Sequence, residues 1–133
     1  MLRVVLDTNV IVSAIISDGK SRELLKRGLT NQYSIITSNL ILKELATVLR
    51  RPKFKTSQDE VHRTILTLIR TADVVNVTSK LKEVKEDPKD DMIVETAVNG
   101  GAYMIVTGDS HLLRLKTVKG IKIITVEEML ACL

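Results

Sequence analysis

Residues 1–14 read MLRVVLDTNVIVSA, an aliphatic run that is interrupted by an acid. Val4, Val5 and Leu6 are apolar without alternation, which is typical of a strand buried on both faces. Asp7 then ends the run, although a single aspartate is also common in turns and at helix N-caps. Asp7 therefore points to a function only if other acids converge on it.

Similar strand-like runs recur along the chain and alternate with helical patterns. We predict strands at residues 3–6, 33–36, 74–77, 103–106 and 121–124. Parallel strands need crossover connections, which helices supply, so the alternation predicts a mainly parallel sheet covered on both faces. The expected fold class is α/β, a three-layer α/β/α sandwich of the Rossmann-like type, formed by a single domain over residues 1–133.

Several helix ends carry recognisable capping residues. Ser57 with Glu60, and Thr125 with Glu128, have the spacing of a capping box. Gly28 and the stretch Asn99-Gly100-Gly101 are predicted at helix C-termini, where a left-handed residue is favoured. These signals place the helices between the predicted strands.

The composition narrows the class of protein and its surroundings. The chain is 44% hydrophobic and 27% charged, as expected of a soluble globular protein. Its single cysteine, Cys132, excludes a disulfide framework and a cysteine-based zinc site. No stretch has the pattern of a signal peptide or a membrane span. We therefore expect a cytoplasmic protein without a membrane partner.

The charge and the aromatic content bear on nucleic-acid partners. The net charge of +4 and the pI of about 9.3 favour polyanionic partners, though only weakly. Aromatic residues make up 2% of the chain, which argues against a platform that stacks successive bases. Any nucleic acid would therefore be held by its backbone.

A second strand ends in the same way as the first. In residues 102–113, AYMIVTGDSHLL, an apolar strand runs through Thr107 into Asp109, just before another helix. In a parallel sheet, strands that both end in aspartate place their carboxylates at the same edge. That edge is where open α/β sheets bind ligands, so we expect Asp7 and Asp109 to lie there together.

The stretch at residues 86–101, EDPKDDMIVETAVNGG, contains a well-marked helix start. Asp87 is the expected N-cap and Pro88 the first helical residue. Any single acid in this helix start can be explained as a capping or dipole residue. Asp90 differs because it shares a helix face with three apolar residues, Ile93, Val94 and Ala97. Asp91 shares its side with Glu95 as well as Val94, and it offers a competing register for a site residue.

Glu44, in the stretch TSNLILKELATVLRR, is the fourth candidate acid. Its neighbours one turn away on the helix are mostly apolar, which is unusual for a solvated glutamate. The competing explanation is a partly buried glutamate that is paired with a lysine or an arginine.

Four carboxylates in one crevice repel one another and need cations for stability. A ligand set made only of oxygens selects Mg²⁺ or Mn²⁺ rather than zinc. Such metals activate water and stabilise the oxygens of a phosphodiester displacement, which is nuclease chemistry.

Taken together, the blocks VVLDTNVIVSA, ILKELATVL and DPKDDMIVETAVNGGAYMIVTGD resemble the PIN-domain family of metal-dependent ribonucleases. The resemblance is strongest to the VapC-like toxins of bacterial and archaeal toxin–antitoxin pairs, and it covers nearly the whole chain. By this resemblance the catalytic and metal-binding acids fall on Asp7, Glu44, Asp90 and Asp109. Three further residues match supporting positions, namely Asn9, Thr107 and, as an auxiliary, Asp87.

The resemblance also implies an activity and partners. It implies cleavage of single-stranded or structured RNA with Mg²⁺ or Mn²⁺, a homodimer, and inhibition by a small antitoxin protein. Other branches of the family process ribosomal RNA, and that role stays open. So does a non-catalytic module that binds metal or RNA and has a regulatory role.

Two other classes of acidic α/β protein fit the sequence less well. Phospho-accepting receiver domains need a lysine at a strand end, where this chain has Thr125 and Val126. Phosphatases of the haloacid dehalogenase type need a second acid two residues after the nucleophile, and Asn9 occupies that position.

Overall fold

The computed structural model describes residues 1–78 and 88–133, except for the side chains of residues 88–90. Six strands form one sheet: β1 Arg3–Leu6, β2 Ser34–Ser38, β3 Asp73–Val75, β4 Met104–Val106, β5 Thr117–Val118 and β6 Ile121–Ile124. Seven α-helices surround it in the described residues: α1 Thr8–Ile16, α2 Lys20–Leu29, α3 Asn39–Leu49, α4 Gln58–Thr71, α5 Pro88–Asn99, α6 Ser110–Leu115 and α7 Val126–Cys132. A short 3-10 helix covers Pro52–Phe54.

The strands follow the order β3-β2-β1-β4-β6-β5. Every neighbouring pair is parallel except β5 and β6, which are antiparallel. The predicted mainly parallel sheet is confirmed, and each predicted strand overlaps an observed one. The strand β5 was not predicted, because a two-residue strand is too short to show a periodic pattern.

The register of the strands brings their last residues to one level. Leu6 pairs with Val106, and Val106 pairs with Ile124. On the other side of β1, Val5 pairs with Ile36. One residue beyond the ends of β1, β4 and β6, the residues Asp7, Thr107 and Thr125 are therefore level with one another, and Ser38 at the end of β2 is level with Asp7. We call this row of four residues the carboxyl edge.

Two glycines show that helices cover both faces of the sheet. A Cβ atom at Gly28 in α2 would lie 2.6 Å from Ile35, and one at Gly100 after α5 would lie 2.5 Å from Ile36. Ile35 and Ile36 are consecutive in β2 and point to opposite faces. The helices α2 and α5 therefore lie on opposite sides, and the three-layer sandwich is confirmed.

Gly28 lies in the last turn of α2, as predicted, but the left-handed conformation expected of it is wrong, because its φ angle is not positive. The other predicted stretch, Asn99-Gly100-Gly101, does end α5, and Gly101 has a φ angle of 61°. Gly28 has no side chain because α2 approaches β2 too closely to leave room for one. Close packing, rather than a left-handed backbone, explains this glycine.

The helix α5 runs antiparallel to the strands on the face to which Asp7 points. Near its C-terminal end, the Arg3 side chain donates to the Gly100 carbonyl oxygen at 2.6 Å. Farther along the sheet, the Thr96 Oγ1 donates to the Ser38 Oγ at 2.7 Å. The direction from Gly100 to Thr96 therefore matches the direction of the strands. The first turn of α5 consequently lies beyond the carboxyl edge.

The predicted helix caps are largely confirmed. Thr125 and Glu128 form a reciprocal capping box. Ser57 accepts from the Glu60 N–H at 3.1 Å, as predicted. The second hydrogen bond predicted for that capping box, from the Ser57 backbone N–H to the Glu60 carboxylate, is wrong. The carboxylate accepts from the Ser57 Oγ at 3.4 Å instead. None of the helices in the described residues is both long and apolar enough to cross a membrane.

Candidate active site

Asp7 is the most buried acid on the carboxyl edge, with 8% of its surface exposed. Its Oδ2 accepts a hydrogen bond of 2.6 Å from the Thr107 hydroxyl. Its own N–H donates to the Val106 carbonyl oxygen at 2.9 Å, which ties the end of β1 to β4. Asp7 occupies the N-cap position of α1, but its side chain makes no capping hydrogen bond. The hydrogen bond to Thr107 therefore orients this carboxylate.

Asp109 is attached to the same threonine. The Asp109 N–H donates to the Thr107 Oγ1 at 3.0 Å, and the Asp109 Oδ1 accepts from the His111 N–H at 2.7 Å as the N-cap of α6. One hydroxyl thus contacts both the Asp7 carboxylate and the Asp109 backbone. The structure brings these two predicted site residues together through the Thr107 hydroxyl.

The electrostatics at Asp7 are unfavourable for a bare carboxylate. Burial raises the pKa of Asp7 above its ordinary value of 3.8, and the negative charge of Asp109 raises it further. The Thr107 hydroxyl and the backbone N–H groups of Asn9 and Thr8 lower this pKa, but they only partly offset the burial. A cation close to both carboxylates would relieve this cost.

This pKa shift predicts how the stability of the metal-free protein depends on pH. A carboxyl group with a raised native pKa contributes stability below pH 3.8 and loses that contribution as the pH rises through the native pKa. Asp7→Asn removes the ionisable group. We expect the variant to gain stability relative to the wild type as the pH rises from about 3.8 to neutrality. Urea unfolding in EDTA at several pH values measures the difference, and a constant difference over that range would contradict it.

Glu44 is half-buried on α3. Together with Lys43 and Arg51 it lines a shallow depression of about 300 Å³, which Met92 of α5 closes on the other side. The apolar neighbours predicted for Glu44 are in part confirmed, because Ile41 and Val48 are buried. Glu44 therefore borders the second turn of α5, rather than the Thr107 hydroxyl.

Asp90 lies in the first turn of α5, which begins at Pro88 as predicted. Its backbone lies six residues, about 9 Å along the helix axis, beyond Thr96 and so past the carboxyl edge. Its role as a ligand stays a prediction, because the Asp90 side chain is not described. Asp87 lies outside the described residues.

The buried face of α5 is broader than the sequence analysis predicts. The three apolar residues that share a face with Asp90 are at most 2% exposed. Glu95, on the side of Asp91, is also buried, with 4% exposed, and Asp91 is half-buried. The burial of Glu95 was not predicted, because a charged residue with polar neighbours one turn away on the helix, here Asp91 and Asn99, is typical of a solvated face.

The ligands available at this edge suit a hard divalent cation. In the described part of the chain, no three His, Cys, Asp or Glu side chains are grouped to hold a metal. Asp7 and Asp109 nevertheless supply two carboxylates, and burial together with the nearby charge of Asp109 makes the ionised form of Asp7 costly without a cation. Carboxylate and hydroxyl oxygens are the donors that Mg²⁺ and Mn²⁺ prefer. The residues present therefore fit such an ion.

Comparison with known proteins assigns the family. The chain matches the PIN domain over residues 3–111. It belongs to the PIN domain family. All four acids predicted as metal ligands lie within the matched residues. No curated protein sequence matches the chain significantly.

Two solved structures share the PIN fold. The crystal structure of VapBC2 from Rickettsia felis, bound to a DNA fragment from their promoter, matches with a TM-score of 0.62 and 18% identity. This match covers 93% of the present chain and 98% of the other. The crystal structure of PAE2754 from Pyrobaculum aerophilum matches with a TM-score of 0.63 and 18% identity, over 99% and 88% of the two chains. At this identity the likeness shows the fold.

Proposed function

We propose that this PIN domain is an endoribonuclease that hydrolyses phosphodiester bonds of single-stranded or structured RNA and requires Mg²⁺ or Mn²⁺. The observation that carries the proposal is the pair of acids at the carboxyl edge. Asp7 is buried against Thr107, and the same hydroxyl anchors Asp109. A pair of carboxylates held at this cost is expected where a cation is bound during function.

Four acids would hold the metal, namely Asp7, Glu44, Asp90 and Asp109. When bound, the metal supplies Lewis acidity, which generates a hydroxide at neutral pH and stabilises the charge on the phosphodiester oxygens. The Thr107 hydroxyl keeps the Asp7 carboxylate in one orientation through its 2.6 Å hydrogen bond. The exposed amide of Asn9, on a groove that Thr107 and Asp109 also line, is placed to donate to a phosphate oxygen of the substrate.

A cleavage assay tests this function. We expect the protein to cut labelled single-stranded RNA in millimolar Mg²⁺ or Mn²⁺, and EDTA to abolish the cleavage. Rising salt should slow the reaction because phosphate contacts weaken. A panel that includes transfer and ribosomal RNA covers structured targets. Cleavage that survives EDTA at the same rate would contradict the proposed chemistry.

We also propose a biological setting, namely the toxin of a toxin–antitoxin pair in the cytoplasm. The support is the sequence resemblance to VapC-like toxins together with the fold shared with the VapBC2 structure. In this setting the protein forms a homodimer, and a small antitoxin protein binds it. Expression alone should arrest growth, and co-expression of the small protein encoded beside it should restore growth. Growth unaffected by an active enzyme would favour RNA processing instead.

A further inference from the structure

A groove with several polar side chains begins beside Asp109 at the sheet edge. It has a volume of about 700 Å³ and begins at Thr107 and Asp109. It continues past three serines of α1, α2 and their connection, Ser13, Ser17 and Ser21. We call it the serine groove. Because it is continuous with Asp109, a chain bound in it would also reach the acids.

The side chains on the α1–α2 wall of the serine groove have spare hydrogen-bonding capacity. Within residues 1–78 and 88–133, none of the three serine hydroxyls is engaged with another protein group. Lys20, which lines the same wall, is exposed, and its ammonium has no partner among the described residues. Hydroxyls donate and accept, and an ammonium only donates. This wall therefore suits a ligand that carries both hydroxyls and anionic oxygens.

Two charged residues restrict where an anion can lie in the groove. Glu127, in the first turn of α7, lines the groove, and its negative charge repels a phosphate. Lys20 is the one cation among the lining residues that the structure describes. A phosphate in the groove is therefore drawn toward Lys20 and away from Glu127.

We propose that the serine groove binds the sugar–phosphate backbone of the RNA strand next to the bond that is cut. In this arrangement Lys20 contacts one phosphate, and the serines contact ribose 2′-hydroxyls. This inference rests on the proposed function and names the part of the protein that positions its substrate. No aromatic side chain lines the groove among the described residues, so the bases need not be stacked there and the binding is largely independent of sequence.

Binding of a 12-nucleotide oligouridine in EDTA tests this inference without cleavage. The measurement is fluorescence anisotropy between 50 and 200 mM salt, with the wild type, Lys20→Ala and Lys26→Ala. Lys26 is a matched control, because it is exposed on the same helix but does not line the groove. We expect Lys20→Ala to weaken binding several-fold and to reduce the slope of log K against log salt by about 0.7, the value for one phosphate contact on a single strand. Lys26→Ala should match the wild type.

Two further variants test the negative charge of Glu127 and the hydroxyls of the serines separately. Glu127→Gln should tighten RNA binding, since it removes a negative charge from the groove. The double variant Ser17→Ala with Ser21→Ala should reduce the preference for RNA over DNA of the same sequence, because the 2′-hydroxyl distinguishes them.

The possible failures are distinguishable. The inference is overturned if the wild type does not bind the oligouridine, or if Lys20→Ala binds it with the wild-type affinity and salt slope. It is also overturned if a polyglutamate peptide binds with the same dependence on Lys20, which would assign the groove to an acidic protein segment. Lys20-dependent binding without RNA cleavage in Mg²⁺ or Mn²⁺ would instead refute the proposed function and leave the groove assigned to RNA.

Discussion

Asp7→Asn is expected to lower the rate of RNA cleavage by orders of magnitude and to stabilise the metal-free protein at neutral pH. The substitution preserves the shape of the side chain but removes its charge. Loss of the charge weakens metal binding, and with it the activation of water. It also removes a carboxylate whose ionised form is penalised by burial and by Asp109.

Cleavage rates in Mg²⁺ and melting temperatures in EDTA measure the two effects on the same protein. Asp59→Asn is a suitable control, because Asp59 is exposed in the first turn of α4. The control should cleave at the wild-type rate. A cleavage rate for Asp7→Asn within a few-fold of the wild type would show that this carboxylate is not part of the catalytic site.

Asp90→Asn should also reduce cleavage by orders of magnitude, whereas Asp91→Asn should leave most of the activity. The reason is the helical register, since Asp91 is turned by about 100° from Asp90 around the axis of α5. Asp91→Asn loses a favourable interaction with the helix N-terminus, worth about 0.3–1 kcal/mol. The buried neighbours of Asp90, Ile93 and Val94, agree with this register.

The pair of variants is informative because both aspartates lie in the same helical turn. Cleavage rates at one metal concentration, with melting temperatures as a control for folding, separate catalysis from stability. The burial of Glu95 shows that the side of α5 carrying Asp91 is also enclosed, so burial alone does not distinguish the two aspartates. An inactive Asp91→Asn beside an active Asp90→Asn would place the register one residue away from the predicted one.

Strand positions and the location of the acids were predictable because they depend on local patterns. The apolar run before Asp7 and the one before Asp109 each ended in the predicted acid, and parallel pairing brought both to one edge. Helix starts at Ser57 and Thr125 followed from side chains that bond to nearby N–H groups. These features involve residues that are close in the chain.

The features that were missed depend on contacts between distant residues. The bond from Thr107 to Asp7 spans 100 residues, and it follows only from the adjacency of β1 and β4. The conformation of Gly28 was misassigned because the close approach of α2 to Ile35 leaves no local signal. The burial of Glu95 likewise results from the packing of α5 on the sheet, which propensities do not encode.

Binding of Mn²⁺ is the sharpest measurement of the proposed metal site, in which a divalent cation lies between Asp7 and Asp109. The signal of free Mn²⁺ in room-temperature electron paramagnetic resonance measures binding without any RNA. We expect saturable binding to the wild type, binding at least about tenfold weaker to Asp7→Asn and Asp109→Asn, and unchanged binding to Asp59→Asn. Wild-type affinity for Mn²⁺ in both Asp7→Asn and Asp109→Asn would contradict the proposed site.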